Sequence, residues 1–186
     1  MTLTKLEAKE KAIHEVIERE GGYVNHPADR GGPTRWGVTE RTARKYGYQG
    51  DMKDYPVSLA FAVYDVEYWQ RLKLDVIGDY SPELAICLFD FGVNSGTSRA
   101  AKYLQRLLNA LNNRGQYYPD IRVDGGIGTL TLDALQGFHR KRGDEGLEVL
   151  TESLNGLRIA FCVGITEDNE SQEVFAFGWL SRIVHL

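Results

Sequence analysis

The sequence predicts a mainly α fold (α+β): a helical body with one short β-hairpin or glycine-rich loop directly after the first helix. Three observations carry this. Apolar residues recur at helical spacing over most of the 186 residues, the period of an amphipathic helix. Residues 21–39, GGYVNHPADRGGPTRWGVT, interrupt that period with five of the 20 glycines and two of the five prolines, which is turn and hairpin chemistry. No tandem repeat, heptad array or low-complexity tract points to another architecture.

The elements follow in order. Thr4 and Glu7 make a capping-box pattern, so the first helix starts there and runs to the Gly21-Gly22 stop, with Leu6, Ile13, Val16 and Ile17 as its apolar stripe. A hairpin is expected to pair Tyr23-Val24 with Trp36–Val38, and a short helix to run from Thr39 to about Tyr46. Another helix begins near Pro56 with Leu59, Ala62, Val63, Val66 and Trp69 on one face. The helix opening at Ser81-Pro82 is apolar nearly all round, which predicts a central, buried position. After a break at Gly92–Gly96, Ala100, Ala101, Leu104, Leu107, Leu108 and Leu111 define an amphipathic helix. Residues 112–128 are a polar, glycine-rich excursion. Within it Val123-Asp124-Gly125 lacks the acidic pattern of a calcium loop and reads as a turn into a helix capped near Thr129. Helices resume at about 129–140, 145–166 and 171–184, with Trp179 in the core.

Composition narrows the function. A net charge of -4, with only Lys141-Arg142 as a small basic cluster, argues against a nucleic-acid partner. No stretch reaches the roughly 20 apolar residues of a membrane span, and the charged N-terminus MTLTKLEAKEKAIHEVIERE lacks a signal peptide, so synthesis in a cytoplasm is expected. Cys87 and Cys162 sit in apolar helical patterns and read as free thiols. His14, His26, His139 and His185 show no metal-ligand spacing, so neither a metal nor a cofactor is expected.

Glu20 is the first candidate for chemistry. It follows Ile13, Val16 and Ile17 by seven, four and three residues, so it shares their inward face. Partial burial and the negative end of the helix dipole both favour the protonated carboxyl that a general acid needs. The bland alternative is an exposed helix-end glutamate. Asp29 lies across the glycine-rich loop, and a pair of carboxylates flanking a cleft suits glycoside hydrolysis; its alternative is a turn-former in Asp-Arg-Gly-Gly. Thr34 is placed to help hold a water. Tyr23, Asn25 and Trp36 are candidate sugar contacts, Trp36 equally a hairpin-to-core anchor. Asp90, in the most apolar helix, is a buried polar anchor or a second cleft carboxylate. Asn94 lines the cleft or turns the chain.

EGGYVNHPADRGGPTRWGVT (20–39) resembles the opening of the catalytic region of glycoside hydrolase family 108, the N-acetylmuramidases of bacteria and phages used as endolysins. FDFGVNSG (89–96), AAKYLQRLLN (100–109) and VDGGIGTLTLDAL (123–135) resemble the peptidoglycan region that follows it, and FAFGWLSRI (175–183) its closing Gly-Trp-x-x-Arg helix. Five fragments in the right order make the likeness specific. It implies a lysozyme-like fold and hydrolysis of the β-1,4 bond between N-acetylmuramic acid and N-acetylglucosamine, with Glu20 as the acid. Asp29 and Thr34 are the nearest equivalents of the Asp and Thr of related phage lysozymes. Their spacing here is one residue shorter, and the longer spacing lands on Arg35.

No linker divides the chain, so one domain over 1–186 is expected, with a catalytic lobe at 1–80 and a helical, peptidoglycan-binding-like lobe at 81–186. A monomer without stable membrane insertion is expected, and the resemblance implies that it acts on bacterial peptidoglycan and is held in the infected cell's cytoplasm until a holin-made lesion opens the way to the wall. A lytic transglycosylase, a chitinase-like enzyme and a non-catalytic wall-binding protein remain alternatives.

Overall fold

A computed structural model describes residues 3–25 and 32–186. Helix α1 (Lys5–Glu20) begins with both halves of the capping box formed, Thr4 Oγ1 accepting from the Glu7 N–H and Glu7 Oε2 from the Thr4 N–H. It buries Ala8, Ala12, Ile13, Val16 and Ile17. Leu6, expected in that stripe, is 62% exposed, because the packed stripe begins at Ala8.

The hairpin forms with a different register from the expected one. Strand β1 (Thr34–Arg35) runs antiparallel to β2 (Val38–Thr39), and Val24 bridges to Thr34 on the outer side. Trp36 and Gly37 are the turn itself. Both have positive φ, the signature of a two-residue hairpin loop, so neither is a strand partner for Tyr23 or Val24.

Helix α2 (Glu40–Lys45) is capped by Thr39, and α3 (Val57–Tyr64) follows Pro56. The buried face of α3 is Ala60, Val63 and Tyr64, whereas Leu59, Ala62 and Val66 face solvent. The expected stripe is rotated by about one residue because Tyr64, with more surface to bury and a carbonyl to meet, takes the inward position. A π-helical segment, Asp65–Gln70, continues α3 and turns Trp69 into the core.

After α4 (Leu74–Ile77), helix α5 (Pro82–Ser95) starts at the Ser81 cap and is buried from Leu84 through Gly92. It is the central helix that its apolarity predicts, and it extends through the expected break to end at Gly96. Around it pack α6 (Thr97–Leu111) and α7 (Thr129–Asp168), the latter interrupted at Gly143 between the two expected helices. Gln105 of α6 secures the excursion before α7: its amide donates to Asp124 Oδ1 and the Gly126 carbonyl, each at 2.9 Å, and accepts the Gly125 N–H. The last helix, α8 (Glu173–Val184), buries only Ile183. Trp179 is not in the core; it is half-buried and stacks on Phe175.

One continuous apolar cluster joins these elements, from Ala8 in α1 to Leu154 in α7, with Trp69, Phe89, Phe91 and Phe138 among its largest members. Each fully buried large side chain contributes about 1.5–3 kcal/mol. That shared core fixes the end of α1 relative to the π-segment and α6.

Candidate active site

Helix α1 ends at Glu20, and Gly21 follows at φ 73°, ψ −163°, a region only glycine occupies without strain. The chain therefore leaves the helix axis immediately behind the carboxylate. The Gly21 carbonyl accepts the Trp36 N–H at 3.1 Å. Tyr64 Oη donates to the Trp36 carbonyl, and Trp36 Nε1 donates to the Tyr55 carbonyl, both at 3.2 Å. These bonds hold the hairpin turn against the helix end. Gly37 makes the approach possible: a Cβ there would fall 2.1 Å from Tyr64 Oη and 2.9 Å from Glu20 Cγ.

Beside this junction opens a cleft of about 490 Å³ between the hairpin, α2, the π-segment and the start of α6. Gly37 and Tyr64 form the wall that Glu20 touches, and Tyr68 and Thr97 continue it. Glu20 itself is exposed, unlike the part-buried carboxyl that its helical face predicts. As the last residue of α1 it stands past the packed stripe, at the rim of the cleft. There a polymer can reach it from solvent. Tyr64 and Tyr68 stack with ring centroids 5.7 Å apart. Burial first, then the charge of Glu20, raises the pKa of Tyr64; burial, then Glu67 and Glu20, raises that of Tyr68. Both hydroxyls stay protonated, beside an aromatic surface of the kind that packs on sugar rings.

The other expected site residues are placed as follows. Asp29 lies outside the described residues. Thr34 is half-buried in β1, its hydroxyl donating to the Gly32 carbonyl at 3.4 Å. Tyr23 is half-buried with the Lys53 ammonium 5.8 Å from its ring centre, and Asn25 is exposed. Trp36 anchors the hairpin. Asn94 donates its amide to the carbonyl of Asp90 at 2.6 Å and to its Oδ1 at 3.1 Å. The structure thus brings Trp36 to Glu20 and directs Asn94 to Asp90. Tyr64, Tyr68, Glu67 and Lys45 are cleft residues the sequence reading did not single out. Only the i, i+4 spacing of Tyr64 and Tyr68 hinted at a shared face. Among the described residues, no group of three or more His, Cys, Asp or Glu is arranged to hold a metal ion.

Behind the cleft, Asp90 is a buried anchor. Arg19 Nη1 of α1 reaches its Oδ1 at 3.2 Å, while Arg158 of α7 bonds its Oδ2 and Arg182 Nε of α8 lies 3.6 Å from it. The carboxylate's partners are arginines from three other helices and the Asn94 amide one turn on, rather than nearby backbone. Arg182 is the arginine of Gly178-Trp179-x-x-Arg182, so two of the sequence fragments noted above, 89–96 and 175–183, meet at one carboxylate, and Arg19 directly precedes a third.

An exposed carboxyl beside an open cleft with aromatic residues in its wall, on a mainly α, lysozyme-like frame, is compatible with a glycoside hydrolase. Residues 13–96 match the family model described as glycosyl hydrolase 108, and residues 99–184 the model described as predicted peptidoglycan domain. The chain thus carries a region similar to glycosyl hydrolase 108 followed by one similar to the peptidoglycan domain, which indicates a glycoside hydrolase acting on peptidoglycan. A solved structure, that of Brucella abortus SagA, is similar at 29% identity and a TM-score of 0.66, covering 95% of this chain and 90% of that one. No curated protein matches the sequence.

Proposed function

We propose that this hydrolase is a muramidase that cleaves the β-1,4 bond between N-acetylmuramic acid and N-acetylglucosamine, with Glu20 as general acid. The carrying observation is that Glu20 stands exposed at the end of α1 beside Gly37, a cleft-wall residue whose Cβ, were there one, would fall 2.9 Å from Glu20 Cγ. The Glu20 carboxyl gives its proton to the glycosidic oxygen as the bond to the anomeric carbon breaks. Water then adds to that carbon, and its proton returns to Glu20. Asp29 steadies the developing positive charge or orients the water, with Thr34 supporting it; these two roles rest on the family resemblance. The same resemblance supports a place among phage endolysins that reach the wall through a holin-made lesion.

The test is digestion of purified Gram-negative peptidoglycan by wild type and Glu20→Gln, with fragments identified by mass spectrometry. Reducing muramic ends from wild type and a loss of about 10²–10⁴-fold in rate for a folded Glu20→Gln are expected, the usual worth of a general acid. Anhydro-muramic ends would make it a lytic transglycosylase. Sedimentation with walls that stay intact would make it a binding protein.

A further inference from the structure

We infer that Glu67 is a saccharide-binding carboxylate of the cleft, its Oε2 accepting a hydrogen bond from a hydroxyl or N-acetyl N–H of the glycan strand. The inference rests on the reading that this cleft takes the strand. Glu67 lines the cleft from the π-segment, and its two oxygens are used unequally. Oε1 accepts from Lys45 Nζ at 2.5 Å and from Tyr46 Oη at 2.8 Å. Oε2 has no hydrogen-bond donor among the described residues; Arg71 Nη1, at 4.0 Å, is too far. One oxygen therefore aims the group and the other is free for a ligand.

The charge state suits that task. Hydrogen bonds from Lys45 and then Tyr46 hold the Glu67 carboxyl below the usual glutamate range, so it is an acceptor only. Burial, then the bond to Glu67, pushes the Tyr46 hydroxyl up to about 12, so it stays a donor. A peptidoglycan sugar presents several O–H and N–H donors around an apolar ring face. Tyr68 lines the cleft beside Glu67, and its hydroxyl senses the charges of both Glu67 and Glu20. A sugar packed on Tyr68 would bring its donors toward Glu67.

The structural pairs of Glu67 contribute little, because Lys45 is 67% and Arg71 66% exposed at the side chain. The π-turn points the same way. It is a rare geometry that concentrates at functional sites.

The test compares wild type with Glu67→Gln, which keeps the shape but replaces Oε2 by an amide donor, and Glu67→Asp, which keeps the charge but withdraws it. KM is measured on purified sacculi and on glycan strands stripped of their peptides. Retention on both is measured in a Glu20→Gln background, so that the binding arm does not need cleavage. Losing a hydrogen bond to a charged acceptor should raise KM and weaken retention roughly tenfold or more. That loss should appear on both substrates, with kcat little changed and melting lowered by no more than a few degrees. If Glu67→Gln fails to fold, Glu67→Asp carries the test. Unchanged KM and retention would reduce Glu67 to a clamp between α2 and the π-segment. A loss confined to peptide-bearing sacculi would make the peptides its ligand, and a fall in kcat at constant KM would move it into the chemistry; each overturns the inference. If wild type cleaves neither substrate, the muramidase reading fails while retention still decides this one.

Discussion

The cleft and the Asp90 node lie on either side of the same helix end and treat their carboxylates in opposite ways. Glu20 and Asp90 belong to adjacent features, since Arg19 reaches Asp90 and the next residue is Glu20. Asp90 is buried and surrounded by three guanidinium groups. Glu20 is exposed, with Gly37 beside its Cγ. One carboxylate is fully committed to holding helices together. The other has no ion-pair partner among the described residues, which suits the proton exchange proposed for it. Both sit in fragments that resemble the same family, so resemblance alone does not tell chemistry from architecture; burial and partner count do.

The largest effect on stability should come from the node. Asp90→Asn strands the buried Arg158 and the part-buried Arg182 and frees the exposed Arg19, and breaking such a network typically costs about 3–5 kcal/mol. Melting should fall by roughly 10 °C for a chain of this size, and activity below the melting point should fall less. A variant that melts normally but has lost activity would place Asp90 with the cleft.

Gly37→Ala should act in the reverse sense. Positive φ and the collision with Tyr64 Oη and Glu20 Cγ displace the hairpin from the helix end, at a cost of about 1–3 kcal/mol. Activity should drop well beyond what that destabilisation explains. Equal activity in the folded variant would show that the hairpin's seat on Glu20 is unimportant.

Arg182→Met should destabilise less than Asp90→Asn, because Arg19 and Arg158 still neutralise the carboxylate. Thermal melting ranks the two, and a reversed order would break the account of the node.

The smallest effect is pH-dependent and belongs to the cleft. The carboxyl pKa of Glu67 is lower folded than its ordinary 4.5, so its pairing stabilises the protein above that pH and is lost as pH falls through the folded value. Wild type should melt slightly above Glu67→Gln at neutral pH, with the gap closing below about pH 4.5. A gap that widens on acidification would contradict the sign.

Helix positions were legible because capping and periodicity are local. Thr4 with Glu7 marked the start of α1, Ser81-Pro82 that of α5, and all-round apolarity marked α5 as central. The class of activity was legible in the order of the fragments. The cleft was not, since its walls come from separate elements whose pairing depends on tertiary packing. Tyr64 takes the inward position that the face of Leu59 and Val66 seemed to define, and the hairpin turn falls on Trp36, a residue whose positive φ no local propensity favours. The arginines of Asp90 lie 71 and 68 residues away for Arg19 and Arg158, beyond any local pattern.

The measurement that bears most directly on the cleft as the catalytic face is a side-by-side comparison of Glu20→Gln and Glu18→Gln. Both are exposed glutamates of the same helix turn, and each variant is followed by peptidoglycan turbidity loss and thermal melting. The expected result is that both melt like wild type, Glu18→Gln lyses walls at the wild-type rate, and Glu20→Gln is slower by about two to four orders of magnitude. Equal lysis by the two folded variants would contradict the account and remove Glu20 from the chemistry.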